Sequence, residues 1–433
     1  MTIAPESRGP YRVIGTRPIR HDGHDKVTGR AEYGADVSVP GMIWGEIVRS
    51  PYSHARVLRV DTSAAETLPG VLAVLSGPDA PRDGRREIDV RGGITHLPDV
   101  SANMLATHKA LYKGHAIAAV AAVDRETARS ARDLIKVEYE PLTPVLSGDD
   151  AMAEGAPIVL EELIGDHLGV DVADTNIAGH TRTEFGDPDA AFKSSDLVIE
   201  REVDVGMAHQ GYIEPPACIA SYSDGARSTI WTSTQGHFGV RDSVAAMMEL
   251  EVDDLLVIPT EIGGGFGGKT TIYLEPIAAL LSKKSGHPVK VTMGRADVLE
   301  ASGPTSGCYM KVKIGATNDG KLKAAHAILK FEAGAFPGSP VNAAAQCIFS
   351  PYDIENILID AYDIVDNKPK TTAYRAPGSP LGAFAMETII DEICNKLQMD
   401  PLEFRIVNGA KEGTRRATGV VNPKIGCIET VEA

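Results

Sequence analysis

Gly263-Gly264-Gly265-Phe266-Gly267-Gly268-Lys269-Thr270 is the stretch on which the reading of this chain turns. Five glycines around one phenylalanine leave the backbone bare, so its N–H groups can approach an anionic or oxo ligand closely. The run lies between a predicted strand, Leu255 to Pro259, and a predicted helix from about Ile272 to Lys284. A strand, a glycine loop and a helix start in that order form an anion site. The loop satisfies the phosphate-loop pattern G-x-x-x-x-G-K-[ST] through Gly263, Gly268, Lys269 and Thr270, and the dinucleotide pattern G-x-G-x-x-G through Gly263, Gly265 and Gly268. It also reads as a tight glycine turn with no ligand. The loop alone does not choose among these.

Outward from the loop, the 433 residues suit two or three domains and a large core. Apolar content of 43% and charged content of 24% are ordinary for a globular protein. A net charge of −16 argues against nucleic acid and anionic membrane surfaces as partners. No apolar run reaches the roughly 18 residues of a membrane span, and the N-terminal residues have no apolar signal segment. The five cysteines, Cys218, Cys308, Cys347, Cys394 and Cys427, form no C-x-x-C and read as reduced thiols of a cytoplasmic protein.

Periodicity predicts an α+β chain. Residues 1–24 read as an irregular lead-in, and residues 25–145 as a module of short strands and helices. Residues 146–184 read as a linker, and residues 185–433 as a second domain. Within the module, Ile43 to Arg49, Ala55 to Val60 and Ala116 to Val123 read as strands. In the second domain, Asp187 before Pro188 and Asp400 before Pro401 mark helix starts. Leu381 to Leu397 presents Met386, Ile390, Ile393 and Leu397 on one helical face.

Three further segments bear chemistry. Trp231-Thr232-Ser233-Thr234-Gln235 ends a strand in a carboxamide, which suits donation to an oxo ligand or the capping of a turn. Thr372 to Pro380 sets Arg375 among two prolines and a glycine, a geometry for anion contacts or a surface ion pair. His209 to Pro216 offers His209 as a base, a ligand or, by default, a hydrogen-bonded structural residue.

Taken in order, these segments resemble the molybdenum subunit of the xanthine oxidase, carbon monoxide dehydrogenase and nicotinate dehydrogenase family. Asp25-Lys26-Val27-Thr28-Gly29-Arg30-Ala31-Glu32-Tyr33 resembles the opening of that family's a/b hammerhead domain. Residues 185–433 resemble the N-terminal half of its molybdopterin-binding α+β domain, including GGGFGGK and Ala373-Tyr374-Arg375-Ala376-Pro377-Gly378. The resemblance implies cofactor contacts from Gln235, Gly264, Gly265, Phe266, Gly267, Arg375 and Ala376, with the Phe266 and Gly267 N–H groups facing the pterin. It implies no protein ligand to the metal, which the pterin holds. It implies molybdopterin with molybdenum, in its cytosine dinucleotide form, and a [2Fe-2S] cluster and FAD on partner subunits. The implied reaction is hydroxylation of an electron-poor carbon of an aromatic or N-heterocyclic substrate, with water as the oxygen source.

The family's general base is a glutamate in a G-x-G-E motif, and this sequence has none. The chain therefore resembles the N-terminal half of a split molybdenum subunit, or a truncated piece of a whole one, with no catalytic residue of its own and the glutamate on a partner chain. Thr270 stands where purine oxidisers carry glutamate, which makes it a substrate-side residue and disfavours xanthine. Pro377 stands where carbon monoxide dehydrogenases continue with Cys-Ser. Two other readings remain at this point: a non-catalytic subunit that holds the cofactor or assembles its partners, and a P-loop NTPase with Ile357-Leu358-Ile359-Asp360 as its Walker B strand.

Overall fold

A computed structural model describes residue 13 and residues 16–81, 87–90 and 93–433. Most of the sequence read as an irregular lead-in lies outside the described residues. Two seven-stranded sheets carry the fold. The first runs in the order 255–259, 228–232, 217–221, 289–292, 43–49, 116–122, 71–76. The second runs 170–172, 165–167, 177–185, 356–365, 322–334, 308–316, 197–205. A small sheet of 109–110, 55–61 and 136–141 completes the N-terminal region.

The first sheet crosses the boundary drawn from sequence. Ile43–Arg49 pairs in parallel with Val289–Thr292, from Ile43↔Val289 to Gly45↔Val291. It pairs on its other side with Ala116–Ala122. All seven residues of Ala116–Ala122 are buried, as a strand covered on both faces requires. The helices His237–Met248 and Glu275–Ser285 share one core with this sheet. Pro276 sits in the first turn of the latter, and Gly286 closes it at φ 71°.

The second sheet packs its apolar face on the helices Val341–Cys347, Ser379–Leu397 and Pro401–Asn408. Asp187 and Asp400 cap their helices as expected. Asp187 accepts the Ala190 N–H, and Asp400 accepts the Leu402 and Glu403 N–H groups. The chain from Cys308 to Gly334 forms two paired strands, Cys308–Ala316 and Leu322–Gly334.

Residues 146–184 differ most from their reading as a linker. They contain the helix Gly148–Met152 and three strands, of which Ile177–Phe185 pairs with Asn356–Val365. Its residues are all half-buried or exposed. Such a strand is held by its ladder rather than by a core face, so it carries no hydrophobic period. Among the described residues, no helix is long and apolar enough to cross a membrane.

Candidate functional site

The strand Leu255–Pro259 delivers the chain to the glycine loop at one end of the first sheet. The neighbouring strand Ser228–Thr232 delivers Gln235 to the same end. The two segments lock together. The Gln235 N–H donates to the Lys269 carbonyl at 2.8 Å. The Gly267 N–H donates to Gln235 Oε1 at 2.9 Å, and the Lys269 N–H to the same oxygen at 3.3 Å. A Cβ on Gly265 would lie 2.4 Å from that oxygen, so only glycine admits the carboxamide.

The third segment, Thr372 to Gly378, comes from beyond the second sheet. The Arg375 N–H donates to the Phe266 carbonyl at 3.0 Å. Gly267 has φ 106°, and a Cβ there would lie 2.6 Å from the Ala373 carbonyl oxygen. Phe266, Arg375 and Ala376 hold φ of 53°, 24° and 61°. Non-glycine residues in this region carry strain of about 1–3 kcal/mol each, and such strain concentrates at ligand sites.

Gln235, the glycine loop, Arg375 and Ala376 are thus brought together. The Gly267 N–H, expected to face a cofactor, is taken up by Gln235 Oε1 instead. Other donors remain unanswered among the described residues. The Phe266 and Ala376 N–H groups, Gln235 Nε2 and the Arg375 guanidinium make no hydrogen bond. Phe266 is 55% exposed, and Gln235, Arg375 and Ala376 are exposed. A cluster of open donors with one cation, on a strained backbone, fits an anionic, oxo-bearing group.

The phosphate-loop reading fails here. Lys269 is 1% exposed, and its ammonium lies 2.7 Å from Glu214 Oε2, over the Tyr212 ring. Burial pulls its pKa down, while Glu214 opposes that shift. The helix starts only at Glu275, not at Lys269-Thr270. Asp360, offered as a Walker B acid, belongs to the second sheet and pairs with Arg182 and His180.

His209 is structural. The Gly211 N–H donates to its Nδ1 at 3.0 Å, so its Nε2 donates to the Ser302 hydroxyl at 2.8 Å. The residues of that segment that shape the site are Gln210 and Glu214. Gln210 Nε2 donates to the Gly303 and Ala373 carbonyls at 3.0 Å each. Glu214 accepts the Gly263 N–H at 2.7 Å, the Gly34 N–H at 3.2 Å and the Lys269 ammonium. Both lie in the segment that His209 opens, and their side chains, not that of His209, bond to the two loops. Thr270 donates its hydroxyl to the Gly267 carbonyl at 2.8 Å and lines, with Ala373, a cavity of about 600 Å³.

The geometry defines a binding site for an anionic group, and comparison with known proteins gives the class: a cofactor-binding oxidoreductase subunit. The molybdopterin cofactor-binding domain family matches residues 170–409. The a/b hammerhead domain of aldehyde oxidase and xanthine dehydrogenase matches residues 28–143. The chain is 32% identical to the nicotinate dehydrogenase large molybdopterin subunit of Eubacterium barkeri, across 98% of this chain and 95% of that subunit. It is 31% identical to the carbon monoxide dehydrogenase large chain of Afipia carboxidovorans, across 88% of this chain and 48% of the relative. The aldehyde oxidoreductase of Desulfovibrio gigas superposes with a TM-score of 0.84 at 28% identity, over 95% of this chain and 45% of that one. Quinoline 2-oxidoreductase of Pseudomonas putida 86 gives 0.85 at 25% identity, over 96% and 53%. This chain therefore belongs to the xanthine dehydrogenase family of molybdopterin-binding oxidoreductase subunits. It spans nearly all of the nicotinate dehydrogenase subunit and about half of the other three.

Proposed function

We propose that this chain is the N-terminal half of the molybdenum subunit of a multi-subunit hydroxylase. The substrate is an aromatic or N-heterocyclic compound hydroxylated at an electron-poor carbon, with water as the oxygen source. The observation that carries this reading is the convergence of Gln235, Phe266 and Arg375 on one surface, joined by the bonds Gly267–Gln235 and Arg375–Phe266.

Gln235 Nε2, the Phe266 and Ala376 N–H groups and Arg375 would hold a molybdopterin, in its cytosine dinucleotide form. When bound, that group supplies the oxidising centre and the site at which water is activated. The chain's own part is positional. Gln235 clamps the loop through Oε1 and keeps a carboxamide donor for an oxo group. Arg375 brings positive charge that pairs with anionic substituents. Thr270 lies on the substrate side. The general base is a glutamate of a G-x-G-E motif in a partner chain, the C-terminal half of the molybdenum subunit.

Coverage of 95% of the nicotinate dehydrogenase large subunit, but about half of other relatives, supports a divided subunit. An iron–sulfur subunit with [2Fe-2S] and an FAD subunit complete the electron path. Five unpaired cysteines support a cytoplasmic, reducing setting. The test is purification of the native complex, with metal analysis, identification of the accompanying chains and turnover in ¹⁸O-labelled water. Absence of molybdenum, or product oxygen that does not come from water, would refute it.

A further inference from the structure

Under the convergent loops runs a circuit of hydrogen bonds centred on the Gly303 peptide. The Tyr273 hydroxyl donates to the Gly268 carbonyl at 2.7 Å and accepts the Gly303 N–H at 3.1 Å. The Gly303 carbonyl accepts Gln210 Nε2 at 3.0 Å and the Thr372 hydroxyl at 2.7 Å. Gln210 Nε2 also donates to the Ala373 carbonyl at 3.0 Å. Ala373 stands just before the Arg375 turn, whose N–H returns to the Phe266 carbonyl. The glycine loop and the Arg375 segment are thus joined by a second route, besides that direct bond.

Close packing leaves this circuit little play. Gln210 is 7% exposed. A Cβ on Gly268 would lie 2.9 Å from Gln210 Oε1, and one on Gly303 would lie 2.2 Å from the Thr372 methyl. Gln210 Oε1 is buried and has no partner among the described residues. An unanswered buried acceptor costs about 1–3 kcal/mol, so what the amide contributes here is its donors. Tyr273, Gly303, Thr372 and Ala373 also line the cavity of about 600 Å³. The Tyr273 hydroxyl spends its proton on Gly268 and the Thr372 hydroxyl on Gly303, so neither has one left for a molecule in that cavity. Burial pushes the Tyr273 pKa up, which keeps that proton in place.

We propose that Gln210 and Tyr273 are positioning residues of the cofactor site. Through Gly303 they fix the spacing between the glycine loop and the Arg375 segment, and so the setting of the open Phe266 and Ala376 N–H groups. Both act on main-chain groups of the two loops. Misplacing a reacting group by about 1 Å can cost about a hundredfold in rate, so a circuit of this kind bears on turnover without meeting the substrate. The effect on turnover rests on the hydroxylase reading; the positioning itself rests on the circuit.

The experiment uses the assembled complex with Tyr273→Phe, which keeps the ring, with Gln210→Met, which keeps the length, and with both together. Amide hydrogen exchange over residues 263–270 and 372–378 should quicken by about tenfold in either single variant, with the rest of the chain unchanged. In turnover, kcat should fall by about tenfold or more while KM stays near its original value, as expected when binding is intact and alignment is lost. The double variant should lose little more than the worse single one, because both residues act through one peptide. Unchanged exchange in the two segments, quickening spread over the whole chain, a raised KM at unchanged kcat, or losses that add would each overturn the positioning role. If the two segments loosen but the unsubstituted complex hydroxylates no ring, the positioning stands and the hydroxylase reading falls. If that complex hydroxylates rings and both single variants turn over normally, the positioning alone falls.

Discussion

The side-chain oxygen of Gln235 accepts the main-chain N–H of Gly267 at 2.9 Å, across a gap that a Cβ at Gly265 would close. One carboxamide thus performs two tasks: its oxygen shapes the loop, and its nitrogen is left for a ligand. Two substitutions separate them. Gln235→Ala removes both, and should lower molybdenum content and turnover in the complex by about tenfold or more. Gln235→Glu keeps the acceptor and loses the donor. It should hold its thermal midpoint while still losing turnover or cofactor. Normal kinetics with full molybdenum in both variants would remove Gln235 from the site.

Lys269 and Glu214 form a buried pair whose members answer each other. Lys269→Met strands the Glu214 carboxylate beside two N–H groups and should destabilise the chain by about 3–5 kcal/mol, the usual cost of breaking a buried pair. The double variant with Glu214→Gln should recover part of that loss. Denaturant unfolding of the complex measures both. Neither protein should hydrolyse ATP, and Lys269-dependent hydrolysis would reopen the phosphate-loop reading.

Gly267 and Gly169 make a controlled comparison. Both have positive φ, but a Cβ on Gly169 meets nothing within 4 Å, whereas one on Gly267 meets the Ala373 carbonyl. Gly169→Ala should cost about 1 kcal/mol from backbone strain alone. Gly267→Ala should cost clearly more and should drive the glycine loop from the Arg375 segment, with loss of molybdenum. Equal melting shifts for the two would contradict the contact.

Asp366 supplies a test in pH. It is fully buried, and neither carboxylate oxygen makes a hydrogen bond, although the Lys368 ammonium lies 3.0 Å away. Burial pushes its pKa up to about 7 from an ordinary value of 3.8. Between those values the folded chain binds the extra proton, so this group's contribution to stability falls as pH rises from about 4 to about 7, then levels off. Asp366→Asn should flatten that stretch of the stability profile and raise the melting temperature above pH 7. A profile unchanged by the substitution would show that the carboxyl titrates normally.

What could be read beforehand depended on how local the determinants are. Asp187 and Asp400 announced their helices because a cap and a proline act within one turn. Ala116–Ala122 announced itself by unbroken apolarity. The glycine loop, Gln235 and Arg375 were visible as residue types, but their bonds to one another were not. The left-handed turns at Arg375 and Ala376 had no sequence signal, since neither residue prefers that region. Ile177–Phe185 was hidden because its ladder to Asn356–Val365 replaces a buried face. Gln210 was passed over for its neighbour His209, though it is the amide that ties the Ala373 carbonyl in place.

The parallel pairing of Ile43–Arg49 with Val289–Thr292 also sets the order of events at the ribosome. An early strand waits with one side open until a segment far downstream has been made. That interval exposes a sheet edge to stray pairing and delays closure of the structure. Nascent fragments released before Val289 should be clients of chaperones or proteases, and no cut between the two regions should yield an N-terminal piece able to fold unaided.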